Sequence, residues 1–252
     1  MNSATVRNLL VRGMLAGLAA GVLALVVAYF LGEPNVDSAI GFEEAHSHAH
    51  GHEVELVSRS LQSTAGLATG VLVYGVSFGG IAALAYCFAL GRVGRFGPRA
   101  TALLLSGTAL VAVYVVPFLK YPANPPSVGD PDTIGKRTAL YFLMMVLSVL
   151  LAVGATILGK RLAGSLGTWY ATVTAVAAFV VVIGVAYQFL PVVNEVPRDF
   201  PAALLWRFRL SALAIQTVLW AGFGLVFGEL AERMLNPRPA KAPSGRSVPA
   251  AN

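Results

Sequence analysis

Six long stretches of this chain carry no charged side chain, and none of them alternates apolar with polar residues. They run from Gly13 to Gly32, Ser60 to Gly91, Ala100 to Leu119, Thr138 to Gly159, Leu162 to Asn194 and Leu210 to Gly228. Each is at least 19 residues long, against the roughly 20 that an α-helix needs to cross the hydrocarbon of a bilayer. A membrane barrel strand would require period-two alternation, which is missing. Helices close their own backbone hydrogen bonds, as any segment in lipid must. The pattern therefore predicts an all-α integral membrane protein, a bundle of six transmembrane helices. The spans are expected at about Leu10–Leu31, Thr64–Leu90, Ala100–Leu119, Thr138–Leu158, Thr168–Leu190 and Ala203–Leu230. Residues 1–232 form the transmembrane domain, with a long polar loop at 32–63, and the Pro-rich stretch 233–252 reads as a disordered tail.

Composition agrees with this pattern. Charged residues make up 12% of the chain, about half the share of a soluble domain, and the mean hydropathy is +0.71. The first apolar run is longer than a signal-peptide core and no polar mature domain follows it, so it is expected to be retained as a helix. The single cysteine, Cys87, lies within the second span and excludes an intramolecular disulfide.

The net charge of +6 is a topology signal with no nucleic-acid partner implied. With the N-terminus inside, the inner loops and tails hold eleven basic and two acidic residues, a net of +9, while the outer segments hold seven basic and ten acidic, a net of −3. Lys and Arg accumulate on the cytoplasmic side, which predicts both termini in the cytoplasm, N-in and C-in.

Small residues recur four apart: Gly13, Gly17 and Gly21; Gly66 and Gly70; Gly75 and Gly79; Gly224 and Gly228. Such faces let helix backbones approach closely in lipid. Packing within one bundle is the expected use, although the same faces would serve a homo-oligomer. An arginine also stands near the start of each helix returning from the outer side, at Arg59, Arg137 and Arg209. Three hairpins of one topology would produce this. So would helix starts that need a basic partner for nearby acids.

The candidate chemistry lies in the first outer loop. The stretch FEEAHSHAHGHEVE (42–55) holds all four histidines of the chain, His46, His48, His50 and His52, flanked by Glu43, Glu44, Glu53 and Glu55. Neutral imidazoles with supporting carboxylates are ligands for cobalt, nickel, zinc and copper. Confinement of every histidine to one loop favours metal capture by His46, His48, His50 and His52 with Glu43, Glu44 and Glu53. The alternative is a solvated low-complexity stretch that meets metal only incidentally. Acids near the other outer loops (Asp130, Asp132, Glu195, Asp199, with Glu33 and Asp37) would either line a cation-attracting vestibule or form local salt bridges, and the sequence does not separate the two. The spans hold no ionisable residue at a central position, no phosphate-binding glycine loop and no catalytic triad. An enzyme is therefore not expected, and no tightly bound cofactor.

PFLKYPANPPSVGDPDTIGKRTALY (117–141), NEVPRDFPAALLWRFRL (194–210) and FLGEPNVDSAIGFEEA (30–45) together resemble the bacterial CbtA family of predicted cobalt transporter subunits. The resemblance covers nearly all of the chain before the tail. It implies cobalt uptake across the cytoplasmic membrane and a small one-helix CbtB-like partner embedded in the same lipid; nickel or zinc are further metals that the histidine loop itself would bind. A metal-binding sensor or scaffold that moves nothing is the competing reading.

The charge asymmetry generates the first prediction. In a Cys87→Ser background, cysteines at Ser47 and Ser127 label with an impermeant reagent in intact cells, and one at Gly94 does not. Labelling at Gly94 overturns the N-in topology.

Overall fold

The structure is a computed structural model that describes residues 2–46, 58–126 and 128–237. Among these residues every regular element is helical. Five helices are long and apolar enough to cross a membrane: α1 (Ser3–Ala45), α2 (Arg59–Ala89), α3 (Pro98–Lys120), α4 (Ile134–Phe189) and α5 (Ala202–Leu235).

The fourth helix is not a single rod. Gly167 stands at φ +75°, ψ 162°, outside the helical region, and two helical arms meet there. Continuous helix would separate Gly159 from Ala175 by about 24 Å. Instead, a Cβ built on Gly159 would lie 3.3 Å from the Ala175 Cβ. Met144 on the first arm and Ile183 on the second share a buried cluster with Val116 and Tyr121. The two arms thus fold back on each other as a hairpin, and the fourth and fifth apolar stretches occupy separate arms. The connection expected between Leu158 and Thr168, which begins near Lys160 and Arg161, is helical up to Gly167. Nothing in KRLAGSL forces a break before Gly167, which adopts a positive φ at no steric cost.

A second difference lies after the first span. Glu33–His46 was expected as the start of a polar loop, yet it continues α1 as helix. Its apolar positions, Val36, Ala39 and Phe42, recur at helical spacing. Ala39 is buried against Val128, Phe200 and Leu204, and Phe42 meets the Phe200 ring edge-on at 5.1 Å. Tertiary contact with the start of α5 thus supports a segment too polar to register as a span.

The helices are also interrupted by π turns. Those at Ala28–Gly32 and Leu110–Val115 lie just before Pro34 and Pro117. A proline offers no N–H to the carbonyl four residues earlier, here Phe30 and Val113, and the wider turn absorbs that defect. A third π turn, Gln62–Gly66, has no proline behind it.

The packing is organised around α1, which lies against both α2 and α5. A Cβ on Gly17 would lie 2.8 Å from the Gly79 Cα, and one on Gly75 would lie 2.6 Å from the Gly17 carbonyl oxygen. On another side of α1, a Cβ on Gly222 of α5 would meet Ala20 at 3.4 Å. Gly224 is similarly seated against Ser106 of α3, whose hydroxyl donates to the Trp220 carbonyl. Gly66 and Gly70 make no such approach to another helix. An aromatic ladder fills the core: Phe78 meets Trp220 at 4.5 Å and Phe223 at 5.1 Å, and Phe227 continues it to Tyr86 at 4.9 Å.

Basic residues gather at one end of the bundle. There Arg99 pairs with Glu229 at 2.7 Å, Lys160 donates to the Arg92 carbonyl at 2.8 Å and Arg12 reaches the Leu230 carbonyl. The connections 121–133 and 190–201 lie at the other end, hereafter the loop end.

Close backbone contact at Gly17 generates the second prediction. Gly17→Leu forces α1 away from α2 and costs about 1–3 kcal/mol, the range for overpacking a filled core. Gly184→Ala, where nothing lies within 4 Å, is neutral or slightly stabilising. Thermal unfolding in detergent distinguishes the pair. An unchanged Tm for Gly17→Leu contradicts the contact.

Candidate functional site

The residues expected to hold metal are only partly within the described structure. Glu43 and Glu44 are exposed near the end of the helix that extends α1, and His46 is its last helical residue. His48, His50, His52 and Glu53 lie outside the described residues. Among those described, no group of three or more His, Cys, Asp or Glu side chains is placed to hold a metal ion.

The carboxylates at the loop end are engaged by arginines. Arg59, near the base of α2, holds Asp37 at 2.8 Å and also pairs with Glu33. Arg137 on α4 holds Glu195 at 3.2 Å. Asp130 turns its carboxylate onto the Asp132 N–H at 2.9 Å. For Glu33, Asp37 and Glu195, then, the structure gives salt bridges.

Arg209 behaves differently. Its Nε donates to the Ala123 carbonyl at 3.3 Å and its Nη2 to the Asn124 side-chain oxygen at 3.1 Å. Among the described residues no carboxylate lies within ion-pair distance of it. The two arginines also cross between hairpins. Arg137, in the first turn of α4, follows the 121–133 loop and grips the 190–201 connection, whereas Arg209 follows that connection and grips the 121–133 loop.

Between these crossed contacts lies a cavity of about 680 Å³. One wall is the proline-rich run from Tyr121 to Pro126 together with Val128, and the other is the extended segment Val193–Val196. Among the described residues, Arg137, Arg209 and Glu195 are the only ionised lining groups. Tyr114, Phe118 and Tyr141 close it toward the bundle. Tyr121 is fixed by its hydroxyl, which donates to the Pro191 carbonyl at 2.9 Å. Lys120 donates to the Tyr187 carbonyl at 2.7 Å, tying the end of α3 to the second arm of α4. Gly129 lets Arg137 lie flat against the loop. It has φ +131°, and a Cβ there would stand 2.5 Å from the guanidinium.

Most of the lining comes from the segments 117–141 and 194–210, two of the three stretches that carry the resemblance in the sequence. The profile of the family described as "Probable cobalt transporter subunit (CbtA)" matches residues 6–232. The chain belongs to the CbtA family. Neither a curated protein nor a solved structure matches the chain. As a CbtA member it belongs to a family described as probable transporter subunits, with cobalt the substrate that the description names. Its helices fit a multi-pass membrane protein.

Sequence reasoning singled out Arg137, Arg209, Glu195 and the acids around them, but not the cavity. The signal was present in the paired Asn and Pro of YPANPP and NEVP. Which arginine meets which loop depends on the packing of α4 against α3 and α5, which no local pattern encodes.

Glu195 supplies the third prediction. The Thr133 hydroxyl donates to its carboxylate at 2.5 Å and the Asp130 N–H at 3.0 Å, with Arg137 beside it; together these hold its carboxyl below the usual range. A carboxyl lowered in the folded state stabilises that state above the unfolded pKa of about 4.3, and the contribution is lost as pH falls through the lowered value. The Tm difference between wild type and Glu195→Gln is therefore at its full size above about pH 4.3 and shrinks toward zero below it. A difference that persists at low pH contradicts this role.

Proposed function

We propose that this CbtA member is the membrane subunit of a divalent transition-metal uptake transporter, with cobalt as substrate, in the cytoplasmic membrane of a bacterium. Its chain crosses six times, the two arms of α4 counting separately, and both termini face the cytoplasm. The family match over residues 6–232 carries the reading. The clustering of Arg12, Arg92, Arg99 and Lys160 contacts at one end of the bundle supports the orientation. The broad exposed apolar surface of α4, including Val146, Leu150, Val180 and Phe189, suits contact with lipid. A small CbtB-like membrane subunit is the expected partner.

In this reading His46, His48, His50 and His52, with Glu43, Glu44 and Glu53, collect the ion outside. Selectivity for cobalt does not come from the imidazoles, since such ligands follow the general divalent series and bind copper more tightly. It must arise in the bundle or at the partner. Binding by the loop weakens as pH falls through about 6.5, where free imidazoles protonate.

Uptake of radiolabelled cobalt by cells producing the full chain is the test. Changing all four histidines to Ala impairs uptake most when metal is scarce and least when it is abundant, as a collector requires. Equal uptake at every cobalt concentration removes the histidines from the route. No uptake by the wild type with its partner present replaces transport with the sensor or scaffold reading.

A further inference from the structure

The cavity at the loop end is poorly suited to a bare metal ion. A divalent cation with six waters fills about 200 Å³, at ~30 Å³ per water, against about 680 Å³ here. That volume lies within the roughly 300–1,000 Å³ typical of sites for small organic molecules. Among the described residues the lining offers no His, Cys, Met or Asp as a ligand. Its one carboxylate, Glu195, is already engaged by Thr133, the Asp130 N–H and Arg137. With Arg137 and Arg209 against Glu195, the ionised lining groups sum to +1, and like charge opposes entry of a cation.

The same features suit an anion. Arg209 is half-buried and has no acidic partner among the described residues, and its two hydrogen bonds there, to Ala123 and Asn124, leave Nη1 and one Nη2 proton unused. A guanidinium taken partly out of water without a counter-charge is costly. A carboxylate lying across its planar fork would supply that charge through two parallel hydrogen bonds. Nearby, the Arg137 Nε makes no hydrogen bond despite its proximity to Glu195. Tyr114, Tyr141 and Phe118 add apolar walls for the body of an organic ligand.

We propose that this cavity binds a small organic carboxylate, either free or as the chelate of a metal ion. Only the metal-bearing form rests on the transport reading; the carboxylate site stands on the cavity itself. For a transporter subunit, the consequence is that the substrate at this point is a complex with an anionic ligand in place of a naked ion.

Calorimetry on the purified full-length chain in lipid nanodiscs tests this with four probes: citrate, Co²⁺, preformed Co²⁺–citrate and inorganic phosphate. Citrate, or Co²⁺–citrate in preference to it, binds the wild type at one site. Arg209→Gln weakens this at least about tenfold, the loss expected for a charge-assisted contact. Thr138→Trp, which keeps both arginines but intrudes on the cavity, also weakens it, so loss of a loop contact in Arg209→Gln is not mistaken for loss of a ligand contact. Arg7→Gln, far from the cavity, leaves binding unchanged. Tighter binding of the chelate shows that the metal arrives complexed, and equal or tighter binding of citrate alone assigns the site to the free anion. The proposal is overturned if citrate binds neither alone nor with cobalt, or if either cavity variant binds like wild type. It is equally overturned if phosphate alone is taken, which would assign the cavity to phosphate groups such as lipid heads, or if Co²⁺ alone binds and Thr138→Trp blocks it. None of these readings involves transport, so failed cobalt uptake would leave the carboxylate site standing.

Discussion

The close approach of α1 and α2 at glycine is the contact on which the bundle depends. In lipid no hydrophobic force drives one apolar helix onto another, so association rests on packing and a few polar contacts. Gly17 and Gly79 bring two backbones together where any side chain would hold them apart. With α2 fixed on one side, α1 presents Ala16, Ala20 and Ala24 to the core shared with α5, and the large rings of Phe78, Trp220, Phe223 and Phe227 fill the space beyond. Small residues set the distances and aromatic residues take up the volume. Against this compact group, the arms of α4 touch mainly the end of α3, through Val116, Tyr121 and the Lys120–Tyr187 bond.

Polar residues act almost entirely at the two ends. At the basic end they bind helix carbonyls and the Arg99–Glu229 pair. At the loop end three arginines organise the connections, and each finds a different kind of partner: a pair of acids for Arg59, one acid for Arg137, a carbonyl and an amide for Arg209. The recurrence of arginine at these three helix starts is therefore not matched by a recurrence of contacts. Arg59 stays with the helix of its own hairpin, while the other two reach across to each other's loops.

How far the sequence revealed this depends on the kind of information involved. The apolar runs were legible because crossing a bilayer imposes length and excludes charge, and the glycine face of α1 was legible because its period of four marks one side of a helix. The helix from Glu33 to His46 was not legible. Its polar composition resembles a loop, and its helicity depends on Ala39 and Phe42 meeting Phe200 and Leu204, which are distant in the chain. The turn at Gly167 falls within the connection expected between Leu158 and Thr168, but the charges at Lys160 and Arg161 gave no sign that helix runs on through them until a single positive-φ glycine reverses the backbone. The candidate site was half legible: its charged residues stand out against an apolar chain, but their pairing is a tertiary fact.

The crossing of Arg137 and Arg209 has a mechanical meaning. Each loop is braced by a helix belonging to the other's hairpin, so the two connections form a diagonal truss in place of two independent flaps. A truss of this kind resists shear as long as both diagonals hold. Releasing one leaves a pivot at the other, about which a single loop can swing while the rest of the frame keeps its shape. The salt bridge and the amide contact differ in strength and in sensitivity to acid, so the two diagonals do not yield under the same conditions.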